Sequence, residues 1–153
     1  MTKATDLLTK QHKEVKALFK KVTKAADAGE RRKLLDGIAT ALQAHTTIEE
    51  EFFYPAVRGL GTEKAKEMVA EALEEHHVVK LVLHELPNVD LDDERFEAKM
   101  TVLSELVEHH ADEEEEEMFK TAQKIGDDEL KELGTRMQAR FDGLTGAHRS
   151  KAA

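Results

Sequence analysis

Helix breakers in this chain are confined to a few points, and their placement restricts the fold more than any other feature. They sit at Asp27-Ala-Gly-Glu30, at Pro55 through Thr62, at Pro87 through Asp92 and at Gly126-Asp127. The stretches between them are rich in Ala, Leu, Glu and Lys, which favour helix. The pattern predicts helices near 3–27, 29–54, 63–86, 93–124 and 128–143, with Asp27, Thr62 and Asp92 as N-caps and Asp27 with Glu30 as a capping box. Long helices with short connections pack as an antiparallel bundle. The expected fold is therefore all-α: a four-helix bundle over 1–125, with a short fifth helix and a basic tail over 126–153 appended to the same domain.

Composition narrows the function. The chain has 153 residues, no cysteine, and 23 Lys plus Arg against 32 Asp plus Glu, for a net charge of −9. Disulfides, thiolate metal sites and thiol catalysis are excluded. A chain this acidic repels phosphate backbones, so nucleic acid is not an expected partner. No apolar run approaches the roughly 20 residues of a membrane span, and no secretory core opens the sequence. A cytoplasmic location is expected.

Four of the eight histidines carry the functional information: His12, His45, His76 and His110, one per long helix, at separations of 33, 31 and 34 residues. At about 100° per residue, helix neighbours at i±3, i±4 and i±7 share a face. Those positions hold Leu8, Val15 and Phe19 around His12, and Ile38, Leu42 and Ile48 around His45. Around His76 they hold Val69, Ala72 and Val79, and around His110 they hold Leu103, Leu106 and Val107. All four imidazoles thus point to the core. His109 lies about 100° off that face and is expected in solvent, while His77 and His84 stay on a flank of the third helix.

His12 lies 15 residues before Asp27 and His45 lies 16 after Gly29, so the two reach about the same level across the first turn. His45 and His76 are mismatched across the second by roughly 6 Å if helix two stops at Pro55. Glu49 and Glu114 each lie one turn after an inward histidine, in His45-x-x-x-Glu49 and His110-x-x-x-Glu114, and so face inward too. Two buried carboxylates without partners would each cost several kcal/mol. Two cations bridged by them would remove that cost, and a sulfur-free set of oxygen and nitrogen donors suits iron, manganese or zinc. A lone inward histidine is ordinary core; four in register with two glutamates are not.

Other residues receive ordinary readings. Tyr54, the sole tyrosine, falls about 180° from His45 and is expected to pack or face the surface, with a redox role near the metals as the lesser reading. Glu117 is expected near a partly exposed bundle end, and Lys80, about 40° from His76, to snorkel outward. A ferritin-like centre needs two Glu-x-x-His motifs, and only Glu74-x-x-His77 fits, off the main face.

The ordered set His12, His45-x-x-x-Glu49-Glu50 running to Pro55, Glu75-His76, and His110-x-x-x-Glu114-Glu115 resembles the hemerythrin-like HHE cation-binding domain, over roughly residues 5–122. The resemblance implies a four-helix bundle holding two non-haem iron ions with a bridging oxygen. It implies His12 and His45 on one ion, His76 and His110 on the other, and Glu49 and Glu114 between them. The chain departs from the oxygen carriers of that family at Lys80, where they have a further histidine, and at Glu114, where they have Asp one residue later. It is more similar to bacterial di-iron proteins of nitric oxide response and iron–sulfur repair, without their cysteine-bearing segment.

With two histidines per ion, both ions keep open positions, and an open position admits a small ligand. The expected function is to bind or react with dioxygen, nitric oxide or peroxide. Peroxide decomposition by a catalase-like route and an iron-handling or metal-free interaction bundle are the alternatives. A sensor of this length would need a separate protein partner.

Overall fold

The computed structural model describes residues 1–146; the remainder of the basic tail, with His148, lies outside the described residues. Helix α1 spans Ala4–Lys24. Helix α2 starts as Ala28–Ile48, passes through a π-helical turn at Glu49–Phe53, and ends as Tyr54–Arg58. Helix α3 spans Glu63–Glu85 and closes in a 3₁₀ turn, Leu86–Asn88. Helix α4 starts as Glu94–Glu113, passes through a second π-turn at Glu114–Met118, and runs on through Phe119–Ala122 and a 3₁₀ turn, Gln123–Ile125. Helix α5 spans Asp127–Thr145. Among the described residues there is no strand, and no helix is long and apolar enough to cross a membrane.

Caps set most of the helix starts. Asp27 accepts from the Gly29 amide and Thr62 from the Ala65 amide, as their positions before the apolar periods predict. At α4 the cap is Asp93, which accepts from the Arg95 amide, rather than Asp92. The end expected at Pro55 does not occur there. Proline lacks an N–H and collides with the carbonyl four residues back, which ends a regular helix. Here the wide π-turn comes immediately before it, with the Tyr54 amide bonding the Glu49 carbonyl, and the helix continues one turn beyond. That extension removes the depth mismatch. Arg58 is 13 residues after His45, and Glu63 is 13 before His76, so the two histidines reach the same level.

Two apolar clusters fill the bundle. Leu7, Leu8, Ile48, Phe53, Val57, Val69, Met118 and Phe119 form one. Phe19, Leu35, Ile38, Leu42, Val79, Leu83, Phe96 and Leu103 form the other. Burying each such side chain contributes about 1.5–3 kcal/mol, which is enough to hold a polar layer between the two clusters in place. Helix α5, read from sequence as an appendage, packs on α1 and α2 and sends Leu130, Leu133 and Met137 into the first cluster. Its contact depends on Gly134, because a methyl group there would collide with the Thr2 carbonyl and press on the Lys3–Ala4 backbone. Gly134→Ala should therefore destabilise the fold by about 1–3 kcal/mol, despite alanine's better helix propensity. Urea denaturation measures this, and a stabilised variant would show that the N-terminal segment does not seat against α5.

Candidate metal centre

The polar layer consists of His12 from α1, His45 and Glu49 from α2, His76 from α3, and His110 and Glu114 from α4. All six residues are buried, Glu49 completely. The six side chains expected to converge do so. His109 stays exposed as its phase requires, and His77, His84 and Glu117 are exposed as well.

Both carboxylates reach across the bundle. Glu49 Oε1 lies 3.1 Å from His45 Nε2 and 3.1 Å from His76 Nε2. Glu114 Oε1 lies 3.4 Å from His12 Nε2, and its Oε2 lies 3.0 Å from His110 Nε2. The donors fall into two overlapping groups, each with its ligand atoms within 4.8 Å of one another. One is His12, His45, Glu49 and Glu114; the other is His76, His110, Glu49 and Glu114.

Inward atoms of this layer lack hydrogen-bond partners: His12 Nε2, His45 Nε2, both oxygens of Glu49, and Glu114 Oε1. Buried polar atoms in native proteins are nearly always satisfied, and an unpaired carboxylate is costly. Five orphaned atoms of ligand type, all facing one interior point, fit metal cations in the chemistry of the donors and in their unmet need for charge.

On their outer side the imidazoles are held. His45 Nδ1 donates to Gln11 Oε1 at 2.7 Å, His76 Nδ1 to Glu50 Oε2 at 2.9 Å, and His110 Nδ1 to Glu75 Oε1 at 2.7 Å. Such bonds fix the ring orientation and leave Nε2 as the free inward donor. Lys80 does point outward, but it ends on Glu50 at 2.7 Å and so steadies the partner of His76. Gln11, Glu50 and Glu75 have no place in a reading by helix face, since each sits beside an inward residue and works across a helix–helix seam. The available signal is their position, one residue from an inward ligand on the side of the neighbouring helix.

Tyr54 packs in the first apolar cluster, as one of its sequence readings expects, but not on the side opposite His45. It is 1% exposed, and its hydroxyl donates to Glu114 Oε2 at 2.5 Å while lying 3.0 Å from His76 Nε2 and 3.2 Å from His110 Nε2. The cause is the π-turn between His45 and Tyr54. One extra residue in a turn retards the helix phase by about 100°, which carries Tyr54 from the outer face to the interior.

Electrostatics follow from crowding these groups together. Burial alone would lower His110, but bonds from Glu114, Glu49 and Glu75 outweigh it and push the imidazole up to about 12. His12 moves the same way, burial opposing and Glu114 winning. Burial raises Glu49, yet the His45 charge and the close approach of Glu114 and His110 bring it well below the usual carboxylate value. The Tyr54 phenol is pushed well up by burial, with the charges of Glu49 and Glu114 adding to it. The layer is built for compensating positive charge, supplied by protons when no cation is bound.

Comparison with known proteins agrees with this geometry. The family model for the hemerythrin HHE cation binding domain matches residues 3–122. Protein Rv2633c of Mycobacterium tuberculosis is 33% identical over 147 residues, covering 94% of this chain and 88% of that protein. A hemerythrin-like protein of Schizosaccharomyces pombe is 26% identical over 116 residues, covering 76% of this chain and 57% of that protein. The crystal structure of a hemerythrin HHE cation binding domain-containing protein, the Rv2633c homolog from Mycobacterium kansasii, superimposes with a TM-score of 0.84 at 30% identity, covering 99% of this chain and 92% of that one. With four helices, a buried layer of histidine and glutamate, and a match that spans nearly the whole bundle, the chain belongs to the hemerythrin HHE cation-binding family.

Proposed function

We propose that this chain is a non-haem di-iron protein that binds or reacts with a small oxidant: dioxygen, nitric oxide or peroxide. The observation that carries the reading is the sharing of Glu49 and Glu114 between two donor groups, with five inward atoms (His12 Nε2, His45 Nε2, both oxygens of Glu49 and Glu114 Oε1) left without a hydrogen-bond partner among the described residues. His12 and His45 would hold one ion, His76 and His110 the other, with the two carboxylates common to both. The Tyr54 hydroxyl, set among the His76 and His110 nitrogens, is a further oxygen donor for the second ion. Bound iron would supply redox chemistry and open positions for a small ligand.

The chain's own residues provide the rest. A cavity of about 20 Å³ adjoins the four imidazoles and is walled on its other side by Val15, Leu42, Val79 and Val107. That is room for about one water-sized or diatomic molecule. Its apolar wall excludes larger polar substrates, and the Tyr54 hydroxyl is a proton donor buried among the ligand atoms.

Metal analysis of freshly purified protein, with optical spectra before and after dithionite, nitric oxide and peroxide, tests the reading. About two irons per chain are expected from the paired carboxylate–histidine arrangement, with spectral changes on exposure. Catalytic evolution of oxygen from peroxide would mark an enzyme, and a spectral shift without turnover would mark a binder. His110→Ala should lose the metal of the His76–His110 position, and His109→Ala should retain it. A single tightly bound ion with Glu49 and Glu114 free of it would overturn the shared-carboxylate reading.

A further inference from the structure

The bundle repeats itself. His12, His45 and Glu49 on α1 and α2 answer to His76, His110 and Glu114 on α3 and α4, and each shared glutamate opens a π-turn. Gln11 precedes His12 as Glu75 precedes His76. Glu50 follows Glu49 as Glu115 follows Glu114. Tyr54 and Phe119 each come five residues after the shared glutamate. Tyr54 apart, the inward donors are matched one for one between the halves, so any difference between the two positions comes from Tyr54 and from the residues behind the ligands.

Those residues are not matched. In the α3–α4 half, both imidazoles donate to carboxylates, His76 to Glu50 at 2.9 Å and His110 to Glu75 at 2.7 Å. In the α1–α2 half, His45 donates to the neutral amide of Gln11, and Glu115 stands 3.6 Å from His12 Nδ1, which has no hydrogen-bond partner. Where one half has the Tyr54 hydroxyl against its histidines, the other has the Phe119 ring stacked on His12 at 6.2 Å. A carboxylate behind an imidazole makes it a stronger donor to a cation than an amide does, and losing such a partner typically costs 10–100-fold in metal affinity.

We propose that Glu75 acts as a positioning residue that makes the His76–His110 position the tighter and first-filled of the two, while Gln11 leaves the His12–His45 position weaker. The consequence is ordered loading. The first ion takes the α3–α4 half and neutralises part of the charge on Glu49 and Glu114, and the second follows with lower affinity. Glu75 also faces His109 and Glu113 on its outer side. The inference rests on the proposed two-metal reading and adds an order to it.

The test is anaerobic titration of metal-free full-length chain with Co²⁺, followed by calorimetry and by the visible absorption of bound cobalt. Two separable equivalents are expected, with His45→Ala keeping the tighter one and His110→Ala only the weaker. Glu75→Gln should weaken the first equivalent by about 10–100-fold and leave the second in place, while Glu75→Asp recovers part of the loss. Gln11→Glu should tighten the second equivalent and narrow the gap, a gain that mere damage to the fold cannot produce. Failure of the wild-type chain to bind Co²⁺ would sink the two-metal reading itself. Two bound ions with indistinguishable affinities, or an unchanged gap in both Glu75→Gln and Gln11→Glu, would overturn the ordered-loading proposal alone.

Discussion

On the proposed two-metal reading, Glu49→Ala will empty both metal positions at once, whereas His12→Ala will empty only one. Glu49 Oε1 is equidistant, at 3.1 Å, from His45 Nε2 in one group and His76 Nε2 in the other, and the carboxylate belongs to both donor groups. Removing it takes a ligand and a negative charge from each ion in the same step. His12 serves one group only, so its loss leaves the His76–His110 position with all its donors. Metal content after dialysis should fall from about two ions per chain to near zero in Glu49→Ala, and to about one in His12→Ala. Circular dichroism guards against simple unfolding, and Glu49→Gln keeps the side-chain volume if the cavity proves too costly. Retention of one ion by Glu49→Ala would mean that the carboxylate is not shared.

Removal of metal at pH 7 will lower the melting temperature, and moving from pH 8 to pH 6 will narrow the gap between metal-bound and metal-free chains. Ligating imidazoles are held neutral by the ion, so protons compete with binding and its contribution to stability shrinks as pH falls. The metal-free chain changes in the opposite sense. His12 and His110 lie above their ordinary 6.5, because the bonds and charges of the surrounding carboxylates outweigh burial. A histidine raised on folding contributes stability that is complete below its unfolded value and is lost as pH rises toward its folded value. Over this range the metal-free chain therefore gains stability on acidification while the metal-bound chain loses it. Glu49 sets the acid limit: burial opposes its ionisation, but the His45 charge and the close approach of Glu114 and His110 hold it well below its ordinary 4.5. Its contribution is present above that value and disappears as pH falls through the lowered one. Melting curves with and without chelator at pH 6, 7 and 8 provide the check. Equal melting temperatures at pH 7 would show that no ion prefers the folded chain.

Much of this was readable in one dimension. The helix count, the all-α bundle and the inward face of His12, His45, His76, His110, Glu49 and Glu114 all follow from a period of 3.6 residues and from where glycine and proline fall. Helix phase is a local property, carried from residue to residue by backbone hydrogen bonds, so a pattern of apolar neighbours reports it directly. The solvated state of His109 beside the buried His110 followed from the same arithmetic.

The same arithmetic fails where the helix is not regular. Two π-turns, at Glu49–Phe53 and Glu114–Met118, break the period just past each shared glutamate. The first of them carries α2 through Pro55 and turns Tyr54 into the ligand layer. A π-turn is unfavourable in isolation and persists only where tertiary packing compensates it, so no local propensity announces it. The outer partners were equally out of reach. Whether Glu75 touches His110, or Gln11 touches His45, depends on how two helices far apart in sequence lie against each other. Sequence periodicity by itself determined which side chains face the centre of the bundle. Only the tertiary structure decided what stands behind them, because a helix's phase is fixed by its own backbone and its neighbours are set by packing.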